Sequence, residues 1–365
     1  MINLGIIFGG QSVEHDISII TFNQVVNGIN RDKYNIIPLY LDKNNVLWRL
    51  SKFDKLEYFK EDKIKGAKLG IIKKNEKGVF VSGKKIDIVL CTCHGKDLEN
   101  GVISGLLKFL NVPNTIPNVY VSSTFHNKYI TKILLKENKI PSLNYYYITK
   151  DKWESEQVAV TKNVFRVFGE RMKIIKPVSL GSSIGIKKCL TKEEFKKAIE
   201  ECLMYDDAII VEEVLENFLE LNQACYKAKD EIILSKIEEV KNENDFYGFE
   251  EKYESEKVKR IIPAKIDNGL KTKINKTSKK IYEIFSDIGV MRVDYLYDLD
   301  KEKLYVNEIN VIPGALSYYL FEAKDIYFDK LLDDLISEGV RRKNKERELI
   351  LSFKSDVLNF NKGKK

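Results

Sequence analysis

The segment Met291 to Leu320, MRVDYLYDLDKEKLYVNEINVIPGALSYYL, constrains this chain more than any other stretch. Two alternating apolar runs, Met291 to Tyr297 and Lys303 to Asn310, flank the turn-like Asp298-Leu299-Asp300-Lys301 and predict a β-hairpin. Side chains alternate faces along a strand, so Glu308 and Asn310 point the same way and the hairpin can bring Asp294 beside them. Three oxygen ligands then share a sheet face with Arg292. Such carboxylate and amide oxygens suit Mg²⁺, which keeps some waters and takes its remaining ligands from nucleotide phosphates. The alternative is a solvated hairpin face. Against it stands the continuation Pro313-Gly314, a turn that offers amide N–H groups beside a cation site.

A chain of 365 residues with 44% apolar content is long enough for two or three cores and predicts a soluble multi-domain protein. The net charge of +7 is scattered or sits in the C-terminal tail, which favours small anionic ligands over a nucleic-acid groove. Cys91, Cys93, Cys189, Cys202 and Cys225 form no paired framework, and Met1 leads directly into the apolar Ile2 to Phe8 without a signal peptide. No apolar run approaches the ~18 residues that span a bilayer. A cytoplasmic protein with neither a nucleic-acid partner nor a membrane is therefore expected. Cys91-Thr-Cys93-His94 lacks a second ligand pair at zinc-like spacing.

Along the chain, Ile2 to Phe8, Gly9-Gly10-Gln11-Ser12 and a helical pattern from about Glu14 to Ile29 read as a βα unit whose mouth binds polar ligands. Glu14 in the first helical turn is either a carboxylate favoured by the helix dipole or an anchor for an ammonium group. His15 beside it reads as a helix-surface residue without a role. The run Ile86 to Cys91 predicts a buried strand that leaves His94 at its carboxyl end, where ligands bind in α/β sheets, although a structural histidine fits equally. Val102 to Leu110 predicts a helix with Leu106, Leu107 and Leu110 as its apolar stripe, and a second helix, about Ser123 to Asn138, carries Lys128. Lys173 to Lys176 is a strand ending in a lysine, and Gly181-Ser182-Ser183-Ile184-Gly185 is either an ordinary turn or a loop that closes over phosphates. Thr191 to Met204 is a helix with a capping box at its start. The strand Ala208 to Val214 ends in Glu212 and Glu213, placed to meet an adenosine's amino group and ribose hydroxyls, and Glu220 lies on the next run. Asn242 to Lys257, with Tyr247, Lys252 and Tyr253, is plain surface or a long loop over a site. A helix, Phe328 to Lys345, precedes a basic tail packed by Leu351 and Phe353.

Taken in order, FGGQSVEHDIS, HGKDLENG, NKYITK, KPVSLGSSIG, VEEVLE, YGFEEKY and RVDYL with VNEINVIPG resemble the D-alanine–D-alanine ligase family of ATP-grasp enzymes over nearly the whole chain. The resemblance implies an α/β ATP-grasp fold with an N-terminal Rossmann-like (pre-ATP-grasp) domain. Its expected division is a substrate-binding domain over residues 1–120, a lid over 121–210, a catalytic domain over 211–345 and a tail over 346–365. It implies an ATP-dependent ligase that joins two D-alanines, or another small amino acid, through an acyl phosphate for peptidoglycan precursors. Two Mg²⁺ or Mn²⁺ ions, a homodimer and a cytoplasmic setting come with it. The alternatives are a paralogue with a different second substrate and a non-catalytic nucleotide-binding regulator.

Residue by residue, the resemblance implies that Asp294, Glu308 and Asn310 hold the metals and that Lys128 and Lys176 hold the phosphates. It puts Ser183 and Lys252 among the nucleotide contacts, Glu212 and Glu213 at the adenine, and Glu220 at the ribose. Glu14 would bind the first substrate's ammonium group, completed by Ser182 and Tyr253, with His94 nearby and Arg292 and the Gly314 N–H facing the oxyanion. One departure concerns the second substrate. The family has a Ser-x-Ser pair after its Pro-Gly turn, whereas Gly314-Ala-Leu-Ser317-Tyr318-Tyr319-Leu320 places Tyr319 where the second serine belongs. Lys252-Tyr253 keeps the pair of the dipeptide-forming members, which favours an amine as acceptor.

Overall fold

The computed structural model describes residues 1–60, 66–241, 259–285, 287–355 and 357. Its first sheet has five strands in the spatial order Lys68–Leu69, Leu47–Arg49, Tyr34–Leu41, Ile2–Gly9 and Ile88–Cys91. Ile2–Gly9 pairs in parallel with both Tyr34–Leu41 and Ile88–Cys91, which is why these strands are continuous apolar runs, covered on both faces. The helix His15–Gly28 packs on one face, where Phe22 stacks on Phe8 at 3.7 Å. The closing helix Phe328–Arg347 joins the same core through Leu331, Leu332, Leu335 and Ile336, so the two ends of the chain share one apolar centre.

A small antiparallel sheet of Ile72–Asn75, Gly78–Val81 and Lys84–Ile86 is inserted before the last strand of the first sheet, and two larger antiparallel sheets follow. The first runs Lys187–Cys189, Lys173–Pro177, Ala208–Glu213, Tyr145–Thr149. Ile148, Ile175, Ile209 and Val211 meet the helices Lys150–Phe168 and Lys192–Cys202, while the register puts Lys176 and Glu212 on the opposite face. The second runs Lys259–Ile261, Glu231–Lys241, Phe218–Ala228, Val290–Asp298, Lys303–Asn310. Leu221, Ile237, Val293 and Tyr295 pack under the helix Asn268–Ile284. Period-two alternation therefore turns Asn222, Glu238, Arg292 and Asp294 to the other face.

Local details differ from the sequence expectation in three places. The helix expected over about 123–138 is two, Val119–His126 and Lys128–Glu137, because the Asn127 side chain accepts from Ile130 N–H and starts a new helix. In Val102–Phe109 the buried positions are Ile103, Ser104 and Leu107, whereas Leu106 is exposed. Leu351 and Phe353 pack no tail: both are exposed beyond the end of the last helix. Among the described residues no helix is long and apolar enough to cross a membrane.

Candidate active site

The first sheet delivers Glu14 to the cleft. Glu14 precedes the helix His15–Gly28, is buried, and its Oε1 accepts a hydrogen bond from the Ser182 hydroxyl in the loop of the second sheet. Burial raises its carboxyl above the ordinary range, Glu99 adds to this, and the Ser182 hydrogen bond and His94 oppose it. Gly95 makes the packing possible. Its φ of +78° is in the left-handed region, and a Cβ there would lie 2.4 Å from Ser12 Oγ and 2.6 Å from Glu14 Oε2.

A hydrogen-bonded chain links this pocket to the turn after the hairpin. His94 Nδ1 lies 3.2 Å from Glu99 Oε1, and Nε2 lies 3.2 Å from Thr21 Oγ1. The same Thr21 oxygen accepts from Ala315 N–H at 3.3 Å, which ties the imidazole to the turn after the hairpin. His94 is buried within this chain, and Thr21, absent from the sequence reading, is its middle member. His15 is not a surface residue: it is buried, with Nδ1 2.6 Å from Gly10 O and Nε2 3.1 Å from the Tyr40 hydroxyl, and it holds the glycine turn.

On the hairpin, Asp294 stands opposite Glu308 and Arg292 opposite Asn310, with a bulge after Asp294. Arg292 grips Asp294 with two bonds of 2.6 and 2.8 Å, and Asn310 Nδ2 donates to the same carboxylate at 3.0 Å. Lys128, at the start of its helix, donates to Leu180 O at 2.5 Å and pairs with Glu308 at 3.1 Å. Glu308 faces the cleft beside a cation, and Asp294 and Asn310 lie within reach of the same space. Two carboxylates and an amide oxygen on adjacent strands fit a hard, oxygen-preferring divalent cation. Among the described residues no cluster of three His, Cys, Asp or Glu side chains offers another metal site.

Glu212 lies on the same face of its sheet as Lys176. Its carboxylate is fully buried between Lys132 and Lys176, the latter at 2.6 Å. Burial alone would raise its pKa, but the two lysines outweigh it and bring it down to about 2. Each oxygen accepts from one lysine, and the carboxylate thereby orients Lys176, which also reaches Asn307 Oδ1 at 3.3 Å. Lys132 was missed, although it lies one helical turn beyond Lys128 in the quoted NKYITK. Glu213 is half-buried with Arg171 at 3.6 Å, and Glu220 is half-buried near the start of Phe218–Ala228.

Ser182 and Ser183 both have left-handed backbone, with φ of 51° and 59°. Gly314 opens the turn Gly314–Ser317, where a Cβ would meet nothing, so its backbone faces open space. Ala315, Leu316 and Ser317 follow with φ of 50°, 51° and 51°, an unusual run for residues with side chains. Ser317 is buried, and the Leu320 side chain lies in the core, so Leu320 has only backbone to offer a ligand. The Tyr319 hydroxyl donates to Glu238 Oε2 at 3.1 Å, and burial pushes its pKa up to about 12. Lys252 and Tyr253 lie outside the described residues.

Comparison with known proteins gives a consistent picture. The family description "D-ala D-ala ligase N-terminus" matches residues 3–116, and "D-ala D-ala ligase C-terminus" matches residues 134–337. The chain is 37% identical over 374 residues to the D-alanine–D-alanine ligase of Thermosipho melanesiensis, covering 100% of both. It is 39% identical over 371 residues to that of Thermosipho africanus, covering 99% of both. Among solved structures it is similar to the VanG D-Ala:D-Ser ligase from Enterococcus faecalis, at 26% identity and a TM-score of 0.80, over 93% of this chain and 99% of that one.

Proposed function

Because the chain belongs to the D-alanine–D-alanine ligase family, we propose that it joins two D-alanines with consumption of ATP, supplying a peptidoglycan precursor in the cytoplasm. Its fold is the α/β ATP-grasp arrangement, a partly parallel N-terminal sheet followed by two antiparallel sheets that line one cleft. The observation that carries the reading is the meeting of two charge systems across that cleft. Glu14 and Ser182 provide an anionic pocket for an ammonium group, and Lys128, Lys176 and Arg292 provide cations for phosphates and an oxyanion.

In this reading Glu14 holds the donor's ammonium group and aims its carboxylate at the γ-phosphoryl group of ATP. The carboxylate oxygen bonds to phosphorus, ADP departs, and an acyl phosphate forms. Lys128 and Lys176 hold the transferring and remaining phosphates. Asp294, Glu308 and Asn310 would hold two Mg²⁺ or Mn²⁺ ions, which supply neutralisation of phosphate charge when bound. The neutral amine of the acceptor then bonds to the acyl carbon, Arg292 and the Gly314 N–H steady the oxyanion, and inorganic phosphate and a proton leave. Each such donor contributes about 3 kcal/mol of barrier lowering. The resemblance also supports a homodimer, which sedimentation would test.

Tyr319 favours a second reading, in which the chemistry is the same and the acceptor is a different amino acid. Release of ADP from purified protein, measured with D-alanine alone and with paired amino acids, separates the two. Turnover with D-alanine alone, yielding the dipeptide by mass, supports the first. Absence of ADP release with every pair would sink both.

A further inference from the structure

The face that carries Arg292 and Asp294 continues across the sheet as one polar row. Asp294 stands opposite Asn222, and Asn222 stands opposite Glu238 and donates to its Oε2 at 3.2 Å. Val240 pairs with Arg260, which returns Arg260 to the same face as Glu238, and Arg260 Nη1 lies 3.4 Å from Glu238 Oε1. The Arg260 guanidinium carbon sits 5.1 Å from the centre of the Tyr319 ring. Glu238 is fully buried, whereas the Arg260 side chain is 48% exposed. Glu238 thus ties down both the Tyr319 hydroxyl and one end of the guanidinium, and the remaining N–H groups of Arg260 are left to face outward.

We propose that Arg260, braced by Glu238 and stacked on Tyr319, is the residue that reads the carboxylate of the second amino acid. The inference rests on the ligase reading above. An acceptor amino acid brings a carboxylate that needs a cationic or hydrogen-bonding partner once water is excluded. In that reading Arg292 is committed to the oxyanion and Lys128 and Lys176 to the phosphates, so the acceptor's carboxylate needs a further cation. Arg260 lies on the same polar row, on the far side of Arg292 from the hairpin edge. Its planar fork matches a carboxylate, and stacking on the Tyr319 ring fixes the plane. The phenol therefore works as a platform for the guanidinium and not as a direct replacement for a small hydroxyl.

The test is a competition in one vessel. ATP, D-alanine and D-alaninamide are supplied together, and mass spectrometry reads the ratio of dipeptide to dipeptide amide. This ratio depends on acceptor choice and not on overall rate. Arg260→Ala is expected to lower the ratio by about tenfold or more relative to the unaltered protein, because the amide lacks the charge that Arg260 reads. Arg260→Lys should restore part of it. An unchanged ratio in Arg260→Ala overturns the proposal, as does a shift seen with Tyr319→Phe but not with either Arg260 variant. Failure of the unaltered protein to form either product would instead count against the ligase reading.

Discussion

The carboxylate of Glu14 accepts a hydrogen bond from the hydroxyl of Ser182, 168 residues further along the chain, so the first helix and the second sheet's loop meet at one oxygen atom. Burial raises the Glu14 carboxyl, and the Ser182 bond holds it back. A raised carboxyl takes up a proton at higher pH, and a neutral carboxyl cannot pair with an ammonium group. The value of kcat/KM for the donor should therefore fall on the acid side at a pH above the ordinary carboxylate range. Ser182→Ala removes a lowering contact and should move that limb further up. A pH–rate profile of ADP release reads both effects, and an unmoved limb in Ser182→Ala would show that the bond does not tune Glu14.

Gly95→Ala tests the pocket wall. The added Cβ would meet Ser12 Oγ and Glu14 Oε2 well inside contact distance, on a backbone already at φ +78°. With ψ at 160°, that backbone lies in a region only glycine adopts readily and costs about 1–3 kcal/mol for a residue with a side chain. Displacement of Glu14 should add a rise in donor KM larger than the change in ATP KM. Steady-state kinetics with each substrate varied in turn would check this; equal shifts in both would point to general destabilisation.

Glu212 is the buried anion between Lys132 and Lys176, and removing it leaves two cations without their partner. Glu212→Gln should cost about 3–5 kcal/mol of stability, measured by denaturant unfolding. The pH dependence has a definite sign. Glu212 is held down to about 2, so its stabilisation is present above the unfolded carboxylate pKa of roughly 4.3 and is lost as pH falls towards 2. The difference in stability between the unaltered protein and Glu212→Gln should shrink over that window. A constant difference would mean that ionisation of Glu212 is not what the lysines stabilise.

The hairpin was legible because a period of two leaves little choice: once Asp294 faces one way, Arg292, Glu308 and Asn310 follow. The apolar first strand and the capping box at Thr191 and Glu194 were equally local signals. What escaped depends on distant partners. Nothing near His15 announces Tyr40, and nothing near Glu212 announces Lys132, 80 positions earlier in the chain. Asn127 was a readable cap inside a pattern that looked continuous, and the apolar periodicity on both sides of it concealed the break. Arg260 could not be singled out because its meaning comes from strand pairing with Val240 and from the ring of Tyr319.

Glu308→Gln addresses the metals. Glu308 is paired with Lys128 at 3.1 Å, and its side chain is 30% exposed, so losing its charge removes a partly exposed ion pair. Such pairs contribute about 0–1 kcal/mol, and unfolding midpoints should hardly move. An amide binds a divalent cation far more weakly than a carboxylate. Turnover should therefore fall by about a hundredfold or more, on the scale of losing one stabilising group at the reacting phosphate. Mn²⁺ binding followed by electron paramagnetic resonance in the presence of ADP gives a readout that does not depend on activity. Weakened binding with unchanged stability would support Glu308 as a ligand, whereas full Mn²⁺ affinity in the variant would move the cations elsewhere in the cleft.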